Sequence, residues 1–251
     1  MKAIYYISLI VVAVVLLAFS VLVNASQMDD RIESTARKSY VFKTFLQGDD
    51  IKIESRDGYV TLTGIVAEEY HKSLAQETLA GLPGVKSVEN RLEVKGEPTS
   101  ANSDAWIRDK VKATLLFHRS VSVDTTEVYV KDGVVTLRGD AASQAQKELT
   151  TEYAKDVEGV KDVNNEMVVS GTSKNRPKIV GKIDDASITA QVKMTLLFHR
   201  STSAVNTKVE TKNGVVTLYG KASNLAEKDL VSKLVNDVNG VTGIKNRMTI
   251  E

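Results

Sequence analysis

Residues 57–64 read Asp-Gly-Tyr-Val-Thr-Leu-Thr-Gly, and this pattern returns as Asp-Gly-Val-Val-Thr-Leu-Arg-Gly over 132–139 and as Asn-Gly-Val-Val-Thr-Leu-Tyr-Gly over 213–220. The second copy lies 75 residues after the first, and the third lies 81 residues after the second. The same two offsets relate residues outside the motif, such as Phe42, Phe117 and Phe198. A repeat with this spacing indicates three copies of one small structural unit.

Each copy of the motif is typical of a β-hairpin. The Asp-Gly or Asn-Gly pair lies between alternating apolar residues, and type I′ turns need positive φ at both central positions. Val60 and Leu62, with their equivalents in the other copies, are predicted to point to one face of a sheet. The closing glycine, Gly64 in the first copy, is predicted to relieve crowding where the second strand leaves the hairpin.

An amphipathic helix is predicted before each hairpin, over Asp29–Phe45, Ser103–His118 and Asp184–His199. In the second copy, Ile107, Val111 and Leu115 form one apolar stripe at helical spacing. The N-cap candidates are Ser103 or Asp104 in the second copy and Asp184 or Asp185 in the third.

A second helix and a third strand follow each hairpin. The strand alternates apolar and polar residues and carries one inward asparagine, at Asn90, Asn165 and Asn246. We predict that each asparagine amide hydrogen-bonds to a neighbouring loop backbone. The order helix, strand, strand, helix, strand predicts an α+β unit in which two helices cover one face of a three-stranded mixed sheet. Its strand–helix–strand half should make two strands parallel.

The predicted modules span residues 29–96, 103–171 and 183–251, and polar linkers rich in Gly, Pro and Ser join them. Each module is near the size at which a lone hydrophobic core is only marginally stable. The sequence therefore predicts three separate lobes with three separate sheets. The second connection is six residues longer than the first, which favours a freer third module.

The first thirty residues predict export. Lys2 is followed by an apolar run from Ile4 to Val23, and Val23-Asn24-Ala25 supplies small or tolerated residues, ahead of Ser26, at the positions that a signal peptidase reads. Residues 1–25 are therefore a signal peptide or, since the run matches a bilayer in length, a single-span anchor. Both alternatives place Lys2 inside and the modules outside.

Composition excludes some kinds of partner and site. The chain has 33 basic and 32 acidic residues, a net charge of +1, whereas a general nucleic-acid binder usually has a basic excess. It contains no cysteine, so that neither disulfides nor thiolate metal sites are available.

The three histidines do not predict an active site. His118 and His199 recur within Leu-Leu-Phe-His-Arg-Ser, but Lys43 stands at that position in the first module. No two histidines have the spacing of a helical metal site. We predict structural or exposed histidines, with the following arginine suited to the negative end of its own helix. No catalytic residue, metal, cofactor or small-molecule substrate is predicted.

The hairpin motif and the last strand, Gly-Val-x-x-Val-x-Asn-x-(Leu/Met)-x-Val in outline, together resemble the BON domain family of bacterial osmotically inducible and nodulation proteins. The resemblance extends to the osmotically inducible periplasmic type, which usually has two modules rather than three. It implies a non-enzymatic envelope or periplasmic stress protein of Gram-negative bacteria. It also implies association with phospholipid surfaces and chaperone-like protection of other proteins.

Trp106 is the only tryptophan, and its equivalents are Arg31 and Ser187. In family members that bind phospholipid, the first helix of a module is implicated, and Trp106 and Lys110 fit that helix pattern. An indole beside cations suits lipid headgroups or a protein hot spot. Trp106 and Lys110 are therefore the candidate lipid- or partner-binding residues. Packing of Trp106 on the core edge or on a neighbouring module is the alternative.

The leading functional hypothesis is weak, multivalent contact with membrane phospholipid by three linked modules. A periplasmic chaperone-like holdase and an adaptor that recruits other envelope proteins are the alternatives. Nucleic acid is not an expected partner.

Overall fold

The computed structural model describes residues 26–96, 103–121, 126–170, 182–202 and 207–251. In those ranges, none of the helices combines the length and the apolar character that a bilayer crossing requires. The predicted signal peptide or anchor at residues 1–25 lies outside the described residues.

Module 1 begins with two helices where the sequence predicts one. Its elements are α1 (residues 26–38), α2 (Tyr40–Thr44), β1 (Asp50–Arg56), β2 (Tyr59–Val66), α3 (Glu69–Ala80) and β3 (Ser87–Val94). The predicted helix over Asp29–Phe45 is interrupted at Ser39, whose backbone is extended with a ψ of 155°. The amides of the new helix start have partners that stabilise the break: the Ser39 side chain accepts from the Phe42 N–H, the Tyr40 N–H donates to Asp184 at 2.8 Å, and the Val41 N–H donates to Ser187 at 3.1 Å.

Modules 2 and 3 repeat the predicted element order. Module 2 has α4 (Asp104–Phe117), β4 (Thr126–Lys131), β5 (Val134–Ala141), α5 (Gln144–Lys155), β6 (Asp162–Asn165) and β7 (Val168–Val169). Module 3 has α6 (Asp185–Phe198), β8 (Thr207–Lys212), β9 (Val215–Ala222), α7 (Leu225–Asn236), β10 (Gly243–Asn246) and β11 (Thr249–Ile250). Ser103 and Asp184 are the N-caps of α4 and α6, since each side chain accepts a hydrogen bond from the backbone N–H three residues later, that of Trp106 and of Ser187.

The sheet topology confirms the predicted mixed sheet. In module 1 the order is β1-β2-β3, with β1 antiparallel and β3 parallel to the central strand β2. Modules 2 and 3 have the same arrangement around β5 and β9. The type I′ prediction is also confirmed, because Asp57 and Gly58 have φ values of 53° and 81° and the other two turns match them.

The last strand differs from the prediction in modules 2 and 3, where it is divided into two short pieces. Between β6 and β7, the N–H of Met167 turns inward and donates to the Asn165 side chain at 3.0 Å. The N–H of Glu166 still donates to Leu137 of β5 at 2.9 Å, so that the interruption is local. Module 3 is divided in the same way.

The three sheets are separate, but the three lobes are not. The hydrophobic core of module 1 continues into α4 and α6 through Ala113, Phe117, Ala190, Met194 and Phe198. Lys193 of α6 also forms a 2.6 Å ion pair with Glu77 of α3. The prediction of a freer third module is therefore wrong, because α6 packs against α3 of module 1 and α4 of module 2.

Candidate functional site

The shared run Leu-Leu-Phe-His-Arg-Ser forms the contact between modules 2 and 3. His118 of module 2 pairs with Val238 of module 3 in an isolated antiparallel bridge. His199 of module 3 pairs in the same way with Val157 of module 2. Because His118 and Val157 are the repeat equivalents of His199 and Val238, the two modules exchange identical contacts, as the subunits of a symmetric dimer do.

Two arginines extend this exchange. The Arg119 guanidinium donates to the carbonyls of Asn236 and Val241, the latter at 3.2 Å, where α7 ends. Arg200 donates in turn to the carbonyl of Val160 at 2.8 Å, just beyond α5. Each arginine therefore neutralises the negative end of a helix in the opposite module. The prediction that each arginine serves its own helix is wrong. The backbone of the preceding histidine is extended, with ψ of 128° at His118 and 125° at His199, so that the helix ends before the arginine.

The interface buries the two recurring histidines. His118 is 2% exposed, and its Nδ1 donates to the Thr114 carbonyl at 2.7 Å. Its ring lies 4.0 Å from that of Tyr153, whose hydroxyl donates to Asp237 at 2.6 Å. Burial lowers the pKa of His118, and it also lowers the pKa of His199. Both side chains are structural, in agreement with the sequence interpretation.

His71 also has a structural partner. Its Nδ1 lies 2.7 Å from the carboxylate of Asp49, which also accepts from the Ala67 N–H at 2.8 Å. Asp49 therefore fixes the connection between β2 and α3. In the part of the chain that the structure describes, no three His, Asp or Glu side chains are grouped as metal ligands.

The predicted pair Trp106 and Lys110 lies at the boundary of modules 2 and 3. Trp106 is half-buried and packs against the module 2 core. The Lys110 ammonium lies 3.3 Å from the centroid of its ring and 3.0 Å from Glu158. Lys110 is 8% exposed, close to Phe198 of module 3, and burial lowers its pKa. Lys110 thus differs from the exposed cation that a headgroup contact uses, and the binding role of the pair stays a prediction.

A recurring aspartate holds each hairpin turn, a role that the sequence interpretation missed. Asp104 accepts from the N–H groups of Asp132 and Gly133 at 2.8 and 2.9 Å. Asp29 and Asp185 make the same pair of bonds in their own modules. The Ser55 hydroxyl, assisted by the turn amides, lowers the pKa of Asp29. Recurrence of an aspartate at both repeat offsets was the signal that could have revealed this contact.

The recurring asparagines tie the last strand to the second helix. The amide of Asn165 donates to the Lys147 carbonyl of α5 at 2.9 Å and to the Thr151 hydroxyl at 2.8 Å. Asn90 and Asn246 bond in the same way to α3 and α7. The predicted backbone partner is confirmed, but it belongs to a helix and not to a loop.

Comparison with known proteins identifies the same three repeats as copies of one domain. The BON domain model matches residues 28–96, 103–171 and 184–251. The chain is 35% identical to the osmotically-inducible protein Y of Escherichia coli over 143 residues, which are 57% of this chain and 70% of that protein. It is 32% identical to the outer membrane lipoprotein DolP of Haemophilus influenzae over 142 residues, 56% of this chain and 66% of that protein.

A structure of CdsD, a structural protein of the type III secretion system of Chlamydia trachomatis, aligns with 84% of this chain and 90% of its own length. The likeness is weak, with 15% identity and a TM-score of 0.24. The family model, by contrast, covers most of the chain and coincides with all three hairpin-bearing repeats. This chain belongs to the BON domain family, with three copies of the domain.

Proposed function

We propose that this chain is a non-enzymatic stress protein of the bacterial cell envelope that associates weakly with membrane phospholipid. Its family membership supports the proposal, as do two relatives whose names refer to osmotic induction and to the outer membrane. Three linked modules that each bind weakly gain avidity when they face one surface.

The observation that carries the proposal is that polar side chains that recur between the modules are hydrogen-bonded to other parts of the same chain. Asp104 holds a turn, Asn165 holds a helix, and Arg119 closes the helix of another module. Groups that recur in the repeats are thus engaged in folding and assembly. This use of the recurring groups leaves recognition to residues on the outer surfaces, which supports a binding module over an enzyme.

Trp106 remains the candidate contact on α4. Its ring is half-buried and lies near the start of the helix, and amphipathic indoles favour the boundary between headgroups and hydrocarbon. Lys110 contributes indirectly, because its ammonium lies over the ring and fixes the indole in place.

Flotation with vesicles tests the proposal. The chain from Ser26 onward contains every hydrophobic cluster of the structure and lacks the apolar residues 1–25, which would insert into any bilayer. We expect it to float with phosphatidylglycerol vesicles at low salt. Trp106→Ala should weaken flotation, whereas Trp106→Tyr should largely retain it. Failure of the wild-type chain to float would exclude phospholipid association.

A chaperone-like holdase is the second candidate, and exposed apolar side chains on the short last strands favour it. Val168 is 64% exposed, Val169 42% and Ile250 49%. Such side chains can bind unfolded segments of other proteins. A holdase would suppress the aggregation of a model client at stoichiometric amounts without lipid. If Val168→Lys and Ile250→Lys left such suppression unchanged, these strands would not be the client site.

Residues 1–25 determine how the modules reach a membrane. A mass measurement on the exported protein separates the two alternatives that the sequence predicts. A mature chain that begins at Ser26 would be free in the periplasm, whereas an intact chain would be tethered. A tethered chain needs little lipid affinity of its own, since its local concentration at the bilayer is already high.

A further inference from the structure

The outer faces of the three sheets differ in charge. In every module the helices cover one face of the sheet, and alternate strand residues on the other face are exposed. In module 3 the exposed face carries five cations and the carboxylates of Glu210 and Glu251, which pair with Lys208 and Lys221. The five cations are Lys208, Lys212, Lys221, Lys245 and Arg247. We call this surface the module 3 basic face.

Three of the five cations have acidic equivalents in module 2, whereas Lys212 corresponds to Lys131 and Lys245 to Asn164. The fold equivalents of Lys208, Lys221 and Arg247 are Glu127, Asp140 and Glu166, because the two modules are offset by 81 residues. All six side chains belong to exposed residues. The fold therefore accepts either sign of charge at these positions, and the basic face of module 3 is not a requirement of folding.

Two cations of this face lie over the ring of one tyrosine. Tyr219 lies on the central strand β9, with the Lys208 ammonium 5.8 Å and the Arg247 guanidinium 5.9 Å from its ring centroid. Lys208 and Glu210 form an exposed ion pair at 2.7 Å, which contributes little binding energy of its own. The face thus combines a flat array of cations with an amphipathic ring at its centre.

We propose that the module 3 basic face is the surface by which the protein docks on an anionic phospholipid bilayer. The inference rests on the proposed function and moves its main electrostatic contact from α4 of module 2 to the sheet of module 3. The charge of the whole chain is +1, so that the cations of this face are offset elsewhere and give the protein a positive side. Such asymmetry orients a protein toward a negative surface.

Charge exchange between modules provides the test. In the chain from Ser26 onward, Lys208→Glu, Lys221→Asp and Arg247→Glu install the residues that module 2 has at equivalent positions, so the fold should persist. The matched control is Lys52→Glu, Ile65→Asp and Arg91→Glu, which installs the same module 2 residues on the module 1 sheet. Co-sedimentation with phosphatidylglycerol-containing and pure phosphatidylcholine vesicles gives the partition coefficients, and circular dichroism checks folding.

We expect the module 3 variant to lose at least about tenfold in partition onto anionic vesicles, since each cation near such a surface adds a several-fold factor. The control should bind within about twofold of wild type, because the equivalent face of module 1 is nearly balanced: Lys52, Arg56 and Arg91 stand beside Glu54 and Glu89. Equal losses in the two variants, or none in the module 3 variant, would overturn the inference while phospholipid association itself stood. Absence of wild-type binding would overturn both proposals.

One further outcome would also overturn the inference. If sedimentation equilibrium without lipid showed self-association that the module 3 variant abolished, the partner of the basic face would be the acidic sheet of a second copy.

The combined change Glu127→Lys, Asp140→Lys and Glu166→Arg in module 2 provides a gain-of-function test. This variant should bind anionic vesicles more tightly than wild type, and an unchanged partition would count against the inference.

Discussion

Arg119 and Arg200 occupy equivalent repeat positions, and each closes a helix that belongs to the other's module. Modules 2 and 3 thus form an internal pair in which the same residues are used twice. Module 1 has Thr44 at this position and does not take part in the exchange; it packs through its own core against α4 and α6. The protein is therefore an internal dimer of BON domains with a third domain packed beside it.

Removal of either arginine should loosen this pair. We expect Arg119→Ala or Arg200→Ala to lower the free energy of unfolding by about 1–2 kcal/mol, because charged hydrogen bonds to helix-end carbonyls are lost. The double variant should deviate from additivity, since both residues belong to one interface. Urea denaturation measures both effects. The control is Arg91→Ala, because the Arg91 side chain is 63% exposed and its removal should change the free energy of unfolding little. An equal loss of stability in this control would contradict the role of Arg119 and Arg200.

Acidification should destabilise the same interface. Burial lowers the pKa of His118 and His199 in the folded protein, so that the unfolded chain takes up protons first. Their contribution to stability is complete above the unfolded pKa of about 6.5 and is lost as the pH falls from there through the folded pKa. Urea midpoints measured across this window should decline for wild type and decline less for His118→Asn. Identical slopes would show that these histidines do not titrate with unfolding.

Gly64 should be intolerant of a side chain. Its φ is +119°, and a Cβ there would lie 1.9 Å from the Asp50 carbonyl oxygen of the neighbouring strand. We expect Gly64→Ala to cost about 3 kcal/mol or more, because both the backbone conformation and the strand pairing oppose it. Gly48→Ala, which meets no atom within 4 Å, is the control. Similar thermal midpoints for the two variants would contradict this account of the β1–β2 pairing.

The hairpin aspartates should stabilise the turns they hold. Asp104→Ala removes acceptors from two turn amides and should cost about 1–2 kcal/mol. Asp104→Asn keeps one acceptor oxygen and should cost about half as much. Hydrogen exchange at the Asp132 and Gly133 amides reports the loss directly. Unaltered protection at these amides in Asp104→Ala would refute the contact.

The sequence predicts the fold of each module because its periodicity and turn residues are local signals. The alternation around Asp57-Gly58 specifies the hairpin, and the spacing of Ile107 and Val111 specifies a buried helix face. The break at Ser39 was not predicted in this way, since the partner of the Tyr40 N–H at the new helix start is the Asp184 carboxylate, 144 residues further along the chain.

The assembly of the modules was also beyond local patterns. The Phe-His-Arg runs at 117–119 and 198–200 show that modules 2 and 3 share something that module 1 lacks, but not that each run serves the other module. Lys110 illustrates the same limit, because Glu158 and Phe198 come to it from distant parts of the chain. The charge difference between sheet faces is readable from sequence only after strand register is known.

Phospholipid association is best tested by the salt dependence of vesicle binding. The partition of the chain from Ser26 onward onto phosphatidylglycerol-containing vesicles should be measured while salt rises from about 0.01 M to 0.15 M, which shortens the Debye length from about 30 Å to about 8 Å. We expect clear binding at low salt, a steep fall at high salt and little binding to phosphatidylcholine alone. No binding at low salt, or equal binding to both kinds of vesicle at every salt concentration, would contradict it.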